Sequence, residues 1–162
     1  MNKRLSLFII FIVTSCSYSI YTTSYPYLKT ISILSFPNKT IKYGLEEDLL
    51  NDISDRFIRD GRLKIVSILP DCQLKGEILD YSNKIYTYGN EVVDEYEVKI
   101  LFKVIFTDLK KNNIIWQNSS LSLSERYSSS DETSEFKTEE EAQKEIFKDL
   151  YETILKNSLE EW

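Results

Sequence analysis

The sequence predicts an α+β domain: a mostly antiparallel four- to five-stranded sheet with two amphipathic helices packed on one face. Three observations predict it. Residues 95–106 alternate, with Tyr96, Val98, Ile100, Phe102, Val104 and Phe106 on one parity and Glu95, Glu97, Lys99, Leu101, Lys103 and Ile105 on the other. That is the pattern of a strand buried on a single face. Two segments, 43–60 and 138–162, switch to the helical period. No repeat or composition shift divides the 162 residues, which fits one domain.

The chain opens Met1-Asn2-Lys3-Arg4, continues through the apolar run Leu5–Val13 and reaches Thr14-Ser15-Cys16. A cationic start and a short apolar run match a secretory signal peptide; a membrane span needs about 20 apolar residues. Val13-Thr14-Ser15-Cys16 resembles a bacterial lipobox, in which the cysteine is diacylated, becomes the new N-terminus and is acylated again. The alternative is an ordinary signal peptide with an incidental cysteine. Residues 1–15 are therefore expected to be a lipoprotein signal peptide and Cys16 the lipidation site. Two or more acyl chains hold a domain stably on a membrane, where one holds it marginally. Ser17, standing where an Asp would retain a lipoprotein elsewhere, resembles the pattern sent to the outer membrane, with the domain on its periplasmic side. Removing residues 1–15 takes Lys3 and Arg4 and leaves 18 cations against 26 anions, a net charge of −8.

Residues 16–28, rich in Tyr, Ser and Thr, read as a lipidated tether, and residues 29–162 as the domain. Lys29–Phe36 alternates as a strand and stops at Pro37-Asn38. From Tyr43 to Asp60, Leu45, Leu49, Leu50, Ile53, Phe57 and Ile58 follow helical spacing, with acids gathered toward the positive end of the helix dipole. Gly61 suits a left-handed cap. Leu63–Ile68 is a short strand and Gln73–Tyr81 a longer one, with Leu74 and Ile78 on one side and Leu79 and Tyr81 on the other. Residues 82–91 read as a loop. Asp108–Asn113 is a polar hairpin turn, after which Ile114–Leu123 returns as a strand carrying Trp116. Ser119–Glu135 holds eight serines, and about 124–137 is expected to be a mobile loop. Thr138 and Glu141 form a capping-box pair. Ala142, Ile146, Phe147, Leu150, Ile154, Leu155 and Leu159 line the face of the terminal helix.

Composition narrows the chemistry. The chain has no histidine, which excludes imidazole bases, Ser/His/Asp and Cys/His nucleophile pairs and His-ligated metals. Its 20 basic and 26 acidic residues argue against nucleic acid, whose affinity comes from clustered cations. Four glycines are too dispersed for a phosphate loop, and no calcium-loop pattern occurs. Glu139-Glu140-Glu141 fits a helix start, and Asp94, Glu95 and Glu97 fit a solvated strand face that guards against edge pairing. Cys72 reads as a small buried residue, with a reactive or intermolecular thiol as the other option. Lys84, Lys110, Lys111 and Lys137 are scattered cations that together could meet an anionic ligand, though a solvated turn explains each alone. No enzyme, cofactor or metal is expected.

Taken in order, Cys16 with Tyr18-Ser19, the stretch Ile33-Leu34-Ser35-Phe36-Pro37-Asn38-Lys39-Thr40, Gly44-Leu45-Glu46, Asp60-Gly61-Arg62-Leu63, Leu74-Lys75-Gly76-Glu77-Ile78, Glu95-Tyr96-Glu97-Val98, Trp116 and Glu141-Ala142 resemble the LptE family of lipopolysaccharide-assembly lipoproteins. The resemblance covers nearly the whole chain after the signal peptide. It implies a non-enzymatic role: two helices on a mostly antiparallel sheet, a plug inside the large LptD β-barrel in a one-to-one complex, help in assembling that barrel, and lipopolysaccharide as ligand. The serine-rich stretch departs from the family. Two rival readings are a lipid-anchored periplasmic or surface binding module without a barrel, and a carboxylate hydrolase, which would need two acids about 5–9.5 Å apart across a cleft.

Overall fold

A computed structural model describes residues 25–89, 92–128, 134–136 and 138–160. The elements are β1 (Thr30–Ile33), α1 (Leu45–Asp60), β2 (Lys64–Ile65), β3 (Cys72–Gly89), β4 (Val92–Asp108), β5 (Asn113–Tyr127) and α2 (Glu139–Ser158). They build one five-stranded sheet in the order β2-β1-β3-β4-β5. β3, β4 and β5 form an antiparallel meander, while β1 runs parallel to both β2 and β3. Both helices lie on the same face, and the α+β class is as the sequence predicts.

The core forms where the helices meet the sheet. Val98, Ile100, Phe102, Val104 and Phe106 of β4 are fully buried beneath Leu49, Ile53 and Phe57 of α1 and Ile146, Phe147, Leu150 and Ile154 of α2. Every residue expected on the face of α2 is buried, and Gln143, Tyr151 and Ser158 are buried beside them. The face of α1 is narrower than its apolar content: Ile58 is 67% exposed, leaving Leu45, Leu49, Ile53 and Phe57 as the buried stripe. Both helix ends carry the expected devices. Gly61 adopts φ 72° and donates its N–H to Phe57, and Thr138 and Glu141 form the reciprocal capping box.

Four expectations need correction. Residues 82–89 are not a loop but the second half of β3, paired with β4 as far as Gly89 against Val92; residues 90–91 lie outside the described residues. The cause is a bulge at Leu79. Ile78 faces Phe102, yet Asp80 already faces Leu101 and Tyr81 faces Ile100, so the alternation changes phase. Tyr81 consequently lies on the core side with Ile78, not opposite it. Second, β5 runs on to Tyr127, so residues 124–127 are ladder rather than mobile loop; its serines point out from a paired strand. Third, β1 is only four residues, because Phe36 leaves the ladder to bury its ring against Gly76. A methyl group on Gly76 would lie 2.3 Å from the Lys103 carbonyl oxygen and 2.4 Å from that ring, so this close approach requires glycine. Fourth, β2 keeps two residues of the expected Leu63–Ile68.

At the far end of the sheet, polar groups fasten α2 to the strands. Glu139 accepts from Tyr81 Oη, from Asn83 Nδ2 at 2.8 Å and from Lys42 Nζ at 2.6 Å. Burial works against its charge, but the Lys42 ammonium and the hydroxyl of Tyr81 hold its carboxyl below the ordinary range. The acid at this helix start is thus a structural acceptor.

Candidate functional site

Three regions hold the residues singled out by the sequence. The first is the end of the sheet where the chain enters the fold. Leu28 is 3% exposed and belongs to the core, and Tyr25 and Tyr27 pack against that core with their rings edge to face, centroids 6.1 Å apart. The fold therefore includes residues 25–28, which the sequence assigned to a tether. Asp108, fully buried, accepts from Tyr27 Oη at 2.5 Å and from the Lys111 N–H at 2.9 Å. Asp71 accepts from the N–H groups of Lys29 at 2.6 Å and Thr30 at 3.0 Å and pairs with Lys110 Nζ at 2.8 Å. The Lys110 ammonium and those N–H donors hold its carboxyl down at about 2. Lys110 also donates to the Tyr27 carbonyl at 3.0 Å, and Lys111 Nζ sits 4.3 Å from the Tyr27 ring. These contacts need a turn that returns β5 beside β4, and Asn112 supplies it with φ 51°, a conformation Asn tolerates.

Lys110 and Lys111 are accordingly engaged in pinning the chain's first described segment. Lys84 is elsewhere: it is exposed on β3, opposite Glu97. Twelve residues of strand separate it from Cys72, beside Asp108, a span of about 40 Å. The structure does not bring these lysines into one anion site. Lys137 and Cys16 lie outside the described residues. Cys72 is fully buried at the start of β3, its Sγ 3.3 Å from the Thr30 carbonyl. Burial pushes its thiol up to about 12, so the packing role stands and a reactive thiolate does not.

The second region is the sheet face away from the helices. No described element covers it. Register and exposure place Lys75, Glu77, Asp80, Ser82, Lys84, Lys99, Leu101, Lys103, Ile105, Glu97 and Arg126 there. Lys103 pairs with Glu77 at 2.9 Å, and Arg126 lies 3.5 Å over the ring of Tyr86. Lys75, Lys84 and Lys99 make no ion pair among the described residues. Lys84 and Lys99 sit diagonally across β3 and β4, a separation of about 7–8 Å between backbones. The sequence reading missed Lys75 and Lys99 as companions of Lys84. The alternation of β4 already placed Lys99 on the wet face, but the bulge at Leu79 hid which β3 residues share it.

The third region is a groove between α1 and α2, lined by acids from both helices. Among the described residues no three carboxylates or cysteines converge to hold a metal ion, and no helix is long and apolar enough to cross a membrane.

Known structures share the architecture. The hypothetical protein CT253 from Chlamydia trachomatis superposes with a TM-score of 0.58 at 12% identity, covering 81% of this chain and 98% of that one. Protein XCC0632 from Xanthomonas campestris gives 0.57 at 7% identity, with 78% and 81% covered. Lipoprotein B from Nitrosomonas europaea gives 0.50 at 17% identity, with 79% and 80% covered. These likenesses show the fold. No curated protein sequence is significantly similar. The family model described as LptE, lipopolysaccharide-assembly, matches residues 28–157, from the buried Leu28 to the last turn of α2. The chain belongs to the LptE lipopolysaccharide-assembly family.

Proposed function

We propose that this protein is an outer-membrane lipoprotein, anchored on the periplasmic side through acyl chains on Cys16. In this reading it plugs and helps assemble an LptD-like β-barrel, one-to-one, and takes part in moving lipopolysaccharide to the outer leaflet without catalysing a reaction. The observation that carries it is the family match over residues 28–157. Two features support it. A rigid sheet with an uncovered polar face suits a wide, polar barrel lumen. Tyr25, the first described residue, stands nine residues after Cys16, a stretch of chain that could reach no more than about 30 Å, so acyl chains on Cys16 would keep the domain near the membrane surface. Residues 1–15 are the signal peptide in this reading.

For a polyanionic ligand, Lys84 and Lys137 are the anion contacts retained from the sequence, Lys84 joined by Lys75 and Lys99 on the same open face. Lys110 and Lys111 serve the pinned end instead.

The test is a mild-detergent pull-down of the tagged, lipidated full-length chain from outer membranes, with mass spectrometry of the proteins that co-purify. Recovery of a large barrel that stays bound in high salt is expected. Recovery of the lipoprotein alone would remove the barrel reading and leave a lipid-anchored binding module. Mass spectrometry of the N-terminal peptide of the purified chain is expected to show acyl chains on Cys16; an unacylated Cys16 would remove the anchor.

A further inference from the structure

Residues 66–71 join β2 to β3 past the head of β1. The Val66 N–H donates to the Ile31 carbonyl at 2.9 Å and the Asp71 N–H to the Thr30 carbonyl at 3.1 Å, so the residues between them protrude at the end of the sheet where Tyr25–Lys29 lead into β1. Ile68 and Leu69 are 81% and 90% exposed there. Leu69 has φ 49°, a left-handed conformation that favours glycine and that leucine adopts only under strain. A large apolar side chain is thus presented to water at a position where glycine would fold more easily. The turn after β4 stands beside this loop, with the Leu109 N–H donating to the Asp71 carbonyl at 2.9 Å, and Leu109 and Ile114 are exposed as well. Single exposed apolar residues need no explanation; four gathered at one end of a sheet do.

Charge at this end runs against that of the chain, whose net value is −6. The acids here are already engaged: Asp60 and Glu160 by Arg62, Asp71 by Lys110, and Asp108 by Tyr27. Lys29 and Lys64 are exposed and make no ion pair among the described residues. Protruding aliphatic side chains beside unpaired ammonium groups fit a phospholipid surface, where the former enter the acyl boundary and the latter meet headgroup phosphates. Tyr25 and Tyr27, half-buried at the same end, are amphipathic rings suited to the headgroup level.

The opposite end of the sheet also exposes apolar side chains, Ile41 and Tyr43, and the link to Cys16 decides between the two. Lys42 pairs with Glu139, which accepts from Asn83; that asparagine is eleven residues along β3 from Cys72, about 37 Å. The nine residues from Cys16 to Tyr25 reach no more than about 30 Å and join the domain at the Ile68 end.

We propose that this end of the domain docks on a bilayer with anionic headgroups, Ile68 and Leu69 entering its surface and Lys29 and Lys64 meeting its phosphates. The proposal rests on the acyl anchor at Cys16 and not on a barrel partner.

The test uses the chain purified from membranes, its acylation read from the mass of the N-terminal peptide, and reconstituted in vesicles of phosphatidylethanolamine and phosphatidylglycerol. Leu69→Cys, Leu109→Cys or Tyr43→Cys carries a nitrobenzoxadiazole label; these positions are exposed, whereas the thiol of Cys72 is fully buried and stays unlabelled. A spin-labelled phospholipid is expected to quench the Leu69→Cys label at least about threefold more than the Tyr43→Cys label, with the Leu109→Cys label following the first. Ile68→Asp with Leu69→Asp should cut quenching of the Leu109→Cys label by about threefold or more, and so should exchanging phosphatidylglycerol for phosphatidylcholine. Equal quenching at Leu69→Cys and Tyr43→Cys, or a Leu109→Cys label indifferent to the aspartates or to neutral lipid, would overturn the docking. An acylated chain that floats with the vesicles while its Leu69→Cys label stays unquenched would overturn it and leave the anchor standing. A chain without acyl groups would remove the anchor, and the docking with it. Shielding of the Leu69→Cys label only when a second protein co-purifies would give this end to a protein partner and overturn the proposal.

Discussion

The pinned end of the sheet and the groove between the helices both gather carboxylates and use them in opposite ways. At the pinned end each acid is held: Asp108 by Tyr27 and the Lys111 N–H, Asp71 by Lys110 and two backbone N–H groups. In the groove, Asp48, Asp55 and Glu140 hold no ion pair among the described residues. Burial explains the contrast. A carboxylate with little water access must be paired internally or it destabilises the fold, so paired acids report structure. Acids left solvated and unpaired contribute little to folding and remain available for binding. Residue type alone does not separate the two groups.

The sharpest break of this contrast is Asp108→Ala. It strands the Tyr27 hydroxyl and the Lys111 N–H beside a buried void, and the cost of unpaired buried groups sets an expected loss of about 3 kcal/mol. Urea unfolding reads it; a loss below about 1 kcal/mol would mean that the pin adds nothing beyond an ordinary surface contact. Tyr27→Phe is the milder version. Deleting the donor leaves a carboxylate still held by the turn, so a loss about half as large is expected. The two substitutions form a double-mutant cycle, and the double variant should lose less than the sum of the single ones because they share one bond.

A third prediction concerns pH. The carboxyl of Asp71 stands at about 2 in the folded chain against an ordinary value of 3.8. A lowered folded value means that the unfolded chain binds the proton more readily, so this contribution is present above about pH 4 and is lost as the pH falls toward about 2. The urea midpoint should fall through that window, and Asp71→Asn should flatten the fall. Asp149 on α2 has the opposite sign: burial, with Glu145 and Glu152 nearby, raises its carboxyl above the ordinary value. Its ionisation opposes folding, so Asp149→Asn should raise the midpoint at neutral pH and have no benefit in acid, where both forms are uncharged.

The same division explains what was legible in the sequence. The face of α2, its capping box, the Gly61 cap and the alternation of β4 were readable because each rests on local spacing or on one residue's backbone preference. The second half of β3 was not. One inserted residue, Leu79, shifts the parity of everything after it, and a period-2 reading treats the broken phase as a loop. The pinned end was also invisible, because Tyr27 and Asp108 are 81 residues apart and neither announces the other. For the same reason nothing in the sequence tied Lys110 and Lys111 to Tyr27 and Asp71.

The smallest expected effect is the most discriminating. Asp48→Asn and Asp55→Asn, alone or together, should change stability by no more than about 0.5 kcal/mol, because neither residue has an ion pair to lose and both are solvated. A small gain is reasonable on relief of repulsion among acids four and seven positions apart, offset in part by weaker complementarity to the helix dipole at Asp48. Set against Asp108→Ala in the same urea experiment, an unchanged midpoint assigns the groove acids to something other than folding. A loss of about 2 kcal/mol or more would show that they stabilise the fold after all, and the distinction between paired structural acids and unpaired available ones would fail at the groove.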